Sequence, residues 1–203
     1  MRSAVILAGG EGRRMGAEKA SVMLCGRPLI WYVIERIFDA VDEVVVVLRD
    51  DAQARRLEGV ISRCRVTIDR THGVGPLAGL QAGMDAARGR YAFAAGCDMP
   101  FLNPDIIEGL FSLAEGRDGA VPLLNALPER LHAVYLAGRF EEACRDAITR
   151  GEGRISAALS GLDIRFVDAE MFRGVDPDLL SFFNVNTPED LRSAESIMRK
   201  RAA

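Results

Sequence analysis

Short apolar runs alternate with helix-like patterns along the whole of this chain, and few folds satisfy such an alternation. Runs typical of strands occupy residues 3–8, 43–48, 65–68, 91–96, 119–124, 131–136, 163–167 and 182–185. Between them, apolar residues recur three and four positions apart, as on one face of a helix. The alternation predicts a three-layer α/β/α sandwich in which helices cover both faces of a mostly parallel sheet.

Length and charge narrow the class of protein. A chain of 203 residues with 49% hydrophobic content can bury one sizeable core, so we expect a single domain over residues 1–203. No apolar run reaches the roughly 18 to 20 residues of a membrane-spanning helix, and no signal-peptide pattern follows Met1. We therefore expect a cytoplasmic protein without a membrane partner. The four cysteines form no C-x-x-C pair, and the net charge of -3 without a basic block argues against a nucleic-acid partner.

A glycine-rich segment follows the first predicted strand. It starts at Leu7-Ala8-Gly9-Gly10, continues through Gly12-Arg13-Arg14-Met15-Gly16 and reaches Lys19. Glycines let backbone N–H groups approach a phosphate or a base, and the cations bring positive charge to the same loop. The spacing matches neither the P-loop nor the dinucleotide fingerprint. The segment predicts a site for a nucleoside triphosphate, with an ordinary strand-to-helix turn as the alternative of equal weight.

Two aspartates stand at the ends of predicted strands. Asp98 follows the strand at 91–96, within Gly96-Cys97-Asp98-Met99-Pro100, and Asp69 follows the strand at 65–68. Ligands of open α/β sheets bind outside the carboxyl ends of the strands. Asp98 is a candidate ligand of Mg²⁺, because that cation takes one or two carboxylates together with phosphate oxygens. The alternative of equal weight is that Asp98 only caps a turn.

A predicted helix begins at Gly75-Pro76, where the proline suits the first helical position. Gly79 and Gly83 leave one face of this helix bare. A base or a ribose could pack on that face. Close contact between helix and sheet is the favoured explanation of the two glycines.

Two asparagines flank Val185 near the C-terminus. The alternating geometry of a strand puts Asn184 and Asn186 on one side and Val185 on the other. Paired amides could bind a phosphate or a metal-bound water. The following Thr187-Pro188-Glu189-Asp190 is typical of a helix start, with Thr187 as the N-cap.

Covalent catalysis is not expected. The sequence assembles no Ser-His-Asp or Cys-His arrangement. His132 lies in an alternating strand pattern, which is more typical of a hydrogen-bonded structural histidine than of a catalyst.

Several motifs occur together in a fixed order and give the chain a resemblance to a known family. They are Leu7-Ala8-Gly9-Gly10, Arg14-Met15-Gly16 with Lys19, Gly75-Pro76-Leu77-Ala78-Gly79-Leu80, Cys97-Asp98-Met99-Pro100 and Phe183-Asn184-Val185-Asn186-Thr187-Pro188-Glu189-Asp190. Over nearly its whole length the chain resembles a molybdenum cofactor guanylyltransferase. The resemblance implies a Rossmann-like nucleotidyltransferase fold, GTP as donor, molybdenum-molybdopterin as acceptor, and release of pyrophosphate as the guanine dinucleotide cofactor forms. It also implies molybdenum-cofactor delivery proteins and molybdoenzyme apoproteins as partners.

The resemblance assigns roles to individual residues. It implies that the run from Leu7 contacts the nucleotide, that Asp69 lies near the guanosine and that Asp98 holds Mg²⁺. His132 and Arg154 are candidates on the pterin side. The full candidate set is Arg14, Lys19 and Asp98 for catalysis, and Leu7, Ala8, Gly9, Gly10, Lys19, Asp69, Gly79, Asp98, Asn184 and Asn186 for binding.

The implied reaction requires positive charge near the phosphates. An acceptor phosphate that attacks the α-phosphorus of GTP brings two anions together, so Mg²⁺ on Asp98 would bridge the phosphates while Arg14 and Lys19 neutralise the leaving pyrophosphate. Three alternatives stay open: a cytidylyltransferase that makes the cytosine form, a guanylyltransferase for cobinamide phosphate, and a nucleotide-binding regulatory module without turnover. Pro76-Leu77-Ala78-Gly79 favours guanine, and the presence of the catalytic set argues against the regulatory module.

Overall fold

The structure, a computed structural model, describes residues 1–10, 18–69, 71 and 75–202. Arg13, Arg14 and His72 lie outside the described residues. The strands are β1 (Arg2–Leu7), β2 (Met23–Leu24), β3 (Arg27–Pro28), β4 (Glu43–Leu48), β5 (Arg65–Ile68), β6 (Tyr91–Gly96), β7 (Gly119–Leu124), β8 (Leu127–Pro128), β9 (His132–Leu136) and β10 (Ile164–Asp168).

Helices occupy most of the segments between the long strands. They are α1 (Leu29–Phe38), α2 (Asp51–Ile61), α3 (Pro76–Ala86), α4 (Pro104–Ala114), α5 (Ala137–Thr149), α6 (Ile155–Ala158) and α7 (Pro188–Ala202), with 3-10 turns at Lys19–Ser21, Ala169–Gly174 and Leu180–Phe182. The starts of α3 at Pro76 and of α7 at Pro188 were both expected from their prolines. Within the described part of the chain, no helix is long and apolar enough to cross a membrane.

The main sheet has the strand order β10-β7-β9-β6-β1-β4-β5, and β8 pairs with β7. β1 is parallel to both β4 and β6, β4 is parallel to β5, and β7 is parallel to β10. β9 runs antiparallel between β6 and β7. The prediction of an α/β fold with a mostly parallel sheet is therefore confirmed.

Side chains of the central strands alternate between two cores on opposite faces of the sheet. On β1, Ala4 and Ile6 join one core and Val5 joins the other. α1, α2 and α4 cover the first face, and α3 and α5 cover the second. Because both faces are covered, the central strands are apolar without interruption, as buried parallel strands require.

The order of the strands reverses at β1. The chain passes from β1 to β4 and β5 on one side and later returns to β6 on the other side. In the register of the sheet, Leu7 lies beside Val47 and Gly96, so the carboxyl ends of β1, β4 and β6 are neighbours. Such a reversal opens a crevice at those ends, and a ligand site is expected there.

One predicted strand is wrong. The segment 182–185 forms no sheet: a 3-10 turn covers Leu180–Phe182, and the Val185 N–H bonds only to the Asp98 carbonyl, at 2.9 Å. The sequence pattern failed because one buried Val beside aromatic residues is typical of a strand even where no neighbouring strand is available. The alternation itself is right, since Val185 is fully buried and both asparagines line a cavity.

Candidate active site

A cluster of three side chains lies at the carboxyl end of the sheet. Lys19 Nζ is 2.7 Å from Asp98 Oδ2 and 2.5 Å from Asn186 Oδ1. Side-chain exposure is 23% for Lys19 and 16% for Asp98, so both groups are partly shielded yet reachable. The structure thus brings together a cation, a carboxylate and an amide from three distant parts of the chain.

Asp98 is positioned by its surroundings. The Cys97 N–H donates to the Leu7 carbonyl at 3.1 Å, and the Asp98 carbonyl accepts from Val185 N–H. A Cβ on Gly96 would stand 2.4 Å from Asp98 Oδ1, so only glycine leaves room for the carboxylate in this place. Burial, with the nearby charge of Asp98, raises the pKa of the Cys97 thiol, which therefore stays protonated and is no nucleophile.

Asn186 is held by the start of α7. The Asp190 carboxylate accepts from the backbone N–H groups of Asn186 at 2.9 Å and Thr187 at 2.8 Å, and Thr187 Oγ1 accepts from Asp190 N–H at 3.1 Å. This is a reciprocal capping arrangement, and it confirms Thr187 as the cap. The hydrogen bond from Asn186 holds the pKa of Asp190 below its usual value. A stable helix start therefore fixes the amide that contacts Lys19.

A cavity of about 600 Å³ opens beside this cluster. Of the predicted binding residues, it is lined by Leu7, Gly9, Gly10, Lys19, Asp69, Gly79 and Asp98. Ala8 has no exposed surface and is not a lining residue, so its predicted contact with the nucleotide stays a prediction. Gly79 lines the cavity, so a base or a ribose could pack on it. It also allows close contact between α3 and the sheet, because a Cβ there would stand 3.1 Å from Leu7 Cδ2.

A second cavity, of about 500 Å³, shares Pro76, Asp98 and Leu131 with the first. Its other lining residues include Glu129, Arg130, Arg154, Ser156, Asn184 and Asn186. The two asparagines therefore belong to this cavity and not to the larger one. Together the cavities form two compartments that meet at Asp98.

The start of the glycine-rich segment is fixed by Gln53, a fully buried residue that sequence reasoning missed. Gln53 Nε2 donates to the Ala8 carbonyl at 2.7 Å, and Gln53 Oε1 accepts from Arg49 N–H at 2.8 Å. The side chain thereby joins the ends of β1 and β4. Its own N–H donates to Asp50, the N-cap of α2, at 2.7 Å.

The far end of the same segment is held by Glu18. Its carboxylate lies 3.3 Å from Arg49 Nη2 and 3.2 Å from Arg56 Nη2. α2 and the residues before it therefore anchor the chain on both sides of residues 11–17. Neither Glu18 nor Arg56 carries a sequence signal that separates it from an ordinary surface charge.

Replacement of Gln53 by leucine should destabilise the protein by about 1 to 3 kcal/mol, because it removes the donor to the buried Ala8 carbonyl. Urea unfolding measures the loss. Gln53→Glu keeps the acceptor for Arg49 N–H but places a buried carboxylate against the Ala8 carbonyl, so at neutral pH it should be at least as destabilised as the leucine variant. A Gln53→Leu protein as stable as the parent would contradict this role.

His132 lies in the core and lines neither cavity, although the resemblance made it a pterin-side candidate. Its ring is fully buried, 4.3 Å between centroids from Phe182 and 5.4 Å from Phe93. Ser181 Oγ is 3.4 Å from Nε2, and Nδ1 has no partner among the described residues. Burial lowers the pKa of His132 to about 3. The ring is neutral and structural, as its strand pattern indicated.

The buried ring makes stability depend on pH. Between about 3 and 6.5 the unfolded chain binds a proton at His132 that the folded chain does not, so the free energy of unfolding should fall on acidification, by up to about 1.4 kcal/mol per pH unit from this group. Unfolding of the parent and of His132→Phe, measured from pH 8 to pH 4.5, checks this. The stability difference between the two should shift in favour of the phenylalanine protein as the pH falls. A constant difference would contradict the assignment.

The sequence model of a family described as the MobA-like NTP transferase domain matches residues 4–164. The chain belongs to this family.

Relatives of this MobA-like NTP transferase cover almost its whole length. A Natronomonas pharaonis protein named "Probable molybdenum cofactor guanylyltransferase" is 39% identical, with 95% of this chain and 96% of the relative covered. The molybdenum cofactor guanylyltransferase of Desulfosudis oleivorans is 34% identical over 96% of this chain and 95% of its own length. The crystal structure of molybdopterin-guanine dinucleotide biosynthesis protein A from Archaeoglobus fulgidus is 36% identical, with a TM-score of 0.84 over 98% of this chain and 100% of that chain. The resemblance seen in the sequence is confirmed.

In this MobA-like NTP transferase, the predicted residues divide into three groups. Lys19 and Asp98 stand in contact at the junction of the cavities. The other described candidates line one cavity or the other, except Ala8 and His132, which are fully buried. Arg14 lies outside the described residues, so its predicted part in catalysis stays a prediction.

Proposed function

We propose that this chain transfers GMP from GTP to molybdenum-molybdopterin, with release of pyrophosphate and formation of molybdopterin guanine dinucleotide. The names of its relatives support this reaction. One observation carries the proposal: two cavities meet at Asp98, beside the Lys19 ammonium. A transferase with two substrates needs two compartments that adjoin at the place of reaction.

The larger cavity suits the nucleotide donor. Gly9 and Gly10 at the end of β1 offer backbone without side chains, which phosphates can approach closely. Gly79 leaves a flat surface on α3, and Asp69 stands at the same wall, where its carboxylate can accept hydrogen bonds from a base or a ribose. The guanosine is therefore assigned to the part of the cavity between β5 and α3.

The donor atoms at the junction fit Mg²⁺. Lys19 Nζ donates to Asp98 Oδ2 and Asn186 Oδ1, which leaves Asp98 Oδ1 as the hard oxygen ligand for the ion. No cluster of three metal-binding acidic, histidine or cysteine side chains exists among the described residues. Such a site leaves most positions to waters and to substrate phosphates, as Mg²⁺ prefers. When bound, the ion would neutralise phosphate charge near the reacting phosphorus.

The chain's own residues act by position and charge. Lys19 donates to Asp98 and Asn186, which points its ammonium at the junction of the cavities. There it can stabilise the charge that develops on the leaving pyrophosphate, in a partly dehydrated site that strengthens the interaction. The Cys97 thiol stays protonated because burial raises its pKa, and the His132 ring is fully buried, so the proposal takes the acceptor phosphate as the nucleophile.

We extend the proposal to the setting of the reaction. We propose that residues 1–203 act as one domain in the cytoplasm, and that the product passes to molybdenum-cofactor delivery proteins and molybdoenzyme apoproteins. Arg14 is proposed to assist Lys19 at the pyrophosphate.

The test is a reaction of the purified protein with molybdenum-molybdopterin, Mg²⁺ and one nucleotide at a time. GTP should give the guanine dinucleotide together with one pyrophosphate for each product molecule. CTP and ATP should give at least about tenfold less product, and EDTA should abolish the reaction. Efficient use of CTP would replace the proposal with a cytidylyltransferase, and GTP binding without any product would replace it with a nucleotide-binding module.

A further inference from the structure

The smaller cavity contains charges of both signs. Arg130 and Arg154 line it together with Glu129. A phosphate on the acceptor explains the arginines, because guanidinium groups bind phosphate through paired N–H donors. A carboxylate in the same cavity repels a phosphate. Its two acceptor oxygens suit a second kind of group on the ligand, one that donates hydrogen bonds.

Glu129 is half-buried in the turn between β8 and β9. Its backbone N–H donates to the Pro122 carbonyl at 2.8 Å, and its carbonyl accepts from His132 N–H at 3.2 Å, so the main chain of the turn is fixed. In the described part of the chain its carboxylate lies near the charge of Arg130 but has no hydrogen-bond donor. Burial raises the pKa of the Glu129 carboxyl, as expected for a group that has lost part of its hydration without gaining a hydrogen-bond donor.

A half-buried carboxylate without a hydrogen-bond donor destabilises the folded protein, and a ligand that donates hydrogen bonds to it would remove this penalty. Hydrogen bonds to a carboxylate are stronger than neutral ones, and its two oxygens can accept two parallel N–H bonds at once. The ligand edge that matches is a pair of adjacent N–H groups on a flat ring.

We propose that Glu129 determines which acceptor the enzyme takes, by accepting hydrogen bonds from adjacent N–H groups of a nitrogen heterocycle. The inference rests on the proposed function, in which the acceptor is a pterin whose 2-amino group lies next to a ring N–H. Arg130 and Arg154 bind the phosphate end of the same molecule. The same cavity thus binds both ends of the acceptor, and a phosphate compound without the heterocycle binds more weakly.

Steady-state kinetics of Glu129→Gln and Glu129→Ala test the inference, with Glu152→Gln as the matched control. Glu152 is exposed, lies 3.7 Å from Arg150 and does not itself line the cavity. Both Glu129 variants should raise the KM for molybdopterin by about 10- to 100-fold, with the KM for GTP within about twofold of the parent. Loss of a merely repulsive charge would instead lower the KM for the anionic acceptor. A KM that falls, or that stays within about twofold, overturns the inference.

A second measurement does not depend on transfer. 6-Hydroxymethylpterin carries the heterocycle without a phosphate, and its fluorescence reports binding. The parent and Glu152→Gln should bind it equally, and both Glu129 variants should bind it at least about tenfold more weakly. Equal binding by parent and variants, or no binding by the parent, overturns the inference.

The two measurements separate the two proposals. If the parent makes no dinucleotide yet binds 6-hydroxymethylpterin through Glu129, the proposed function fails and the role of Glu129 stands. If the parent makes the dinucleotide and the Glu129 variants match it in both measurements, only the role of Glu129 fails. Unchanged GTP affinity in the variants shows that they are folded.

Discussion

Replacement of Asp98 by asparagine should lower guanylyl transfer by at least about 10²-fold. The carboxylate stands where the two cavities meet, with Oδ2 at 2.7 Å from Lys19 Nζ. Asparagine keeps the shape but not the negative charge, so it binds a divalent cation weakly and no longer orients the ammonium. The rate of pyrophosphate release measures the effect. The Mg²⁺ concentration that gives the half-maximal rate should also rise.

The fold should survive this change, because the bond between the Asp98 carbonyl and Val185 N–H involves only backbone. Asp85→Asn, on the exposed face of α3, is the control and should behave as the parent. If Asp98→Asn turned over within a few-fold of the parent with an unchanged Mg²⁺ requirement, Asp98 would have no part in metal binding.

Lys19→Ala should reduce turnover by roughly 10² to 10³-fold, or about 3 to 4 kcal/mol of transition-state stabilisation. The ammonium contacts both Asp98 and Asn186, so its loss removes a positive charge from the reacting phosphates and leaves two oxygens without their donor. Because the charge on pyrophosphate develops during the reaction, kcat should fall more than GTP affinity. Single-turnover rates and calorimetric GTP binding separate the two quantities.

Lys200→Ala provides the control for charge alone. Lys200 is the other lysine of the chain and lies exposed near the end of α7, so its removal should change turnover by less than about twofold. Turnover of Lys19→Ala within a few-fold of the parent would exclude Lys19 from catalysis.

The fold could be predicted because local rules decide it. Apolar runs buried on both faces marked β1, β4 and β6, and the cores they enter alternate along each strand as the pleat requires. Thr187 and Asp190 could be assigned because their capping contacts lie within three residues of each other. Asp98 was a candidate because it follows a buried strand, where open sheets bind ligands.

The supporting contacts could not be predicted because they join residues far apart in the sequence. Gln53 bonds to Ala8 across 45 residues, and Lys19 bonds to Asn186 across 167. Nothing local separates Gln53 or Glu18 from polar residues on a helix surface. In the sequence Gly96 looks like any glycine at the end of a strand. Only the position of the Asp98 carboxylate shows that a larger residue there would displace it. Sequence patterns report what each segment buries, and the site depends on which segments meet.

The central claim is direct transfer of a guanylyl group between two compartments, and one labelling experiment tests it. A single turnover with GTP labelled at the α-phosphorus, quenched in acid, should place all transferred label in the molybdopterin product and none on the protein. With GTP labelled at the γ-phosphorus, all released label should be pyrophosphate. Label bound covalently to the protein, or γ-label in the product, would contradict direct guanylyl transfer at the junction of Lys19 and Asp98.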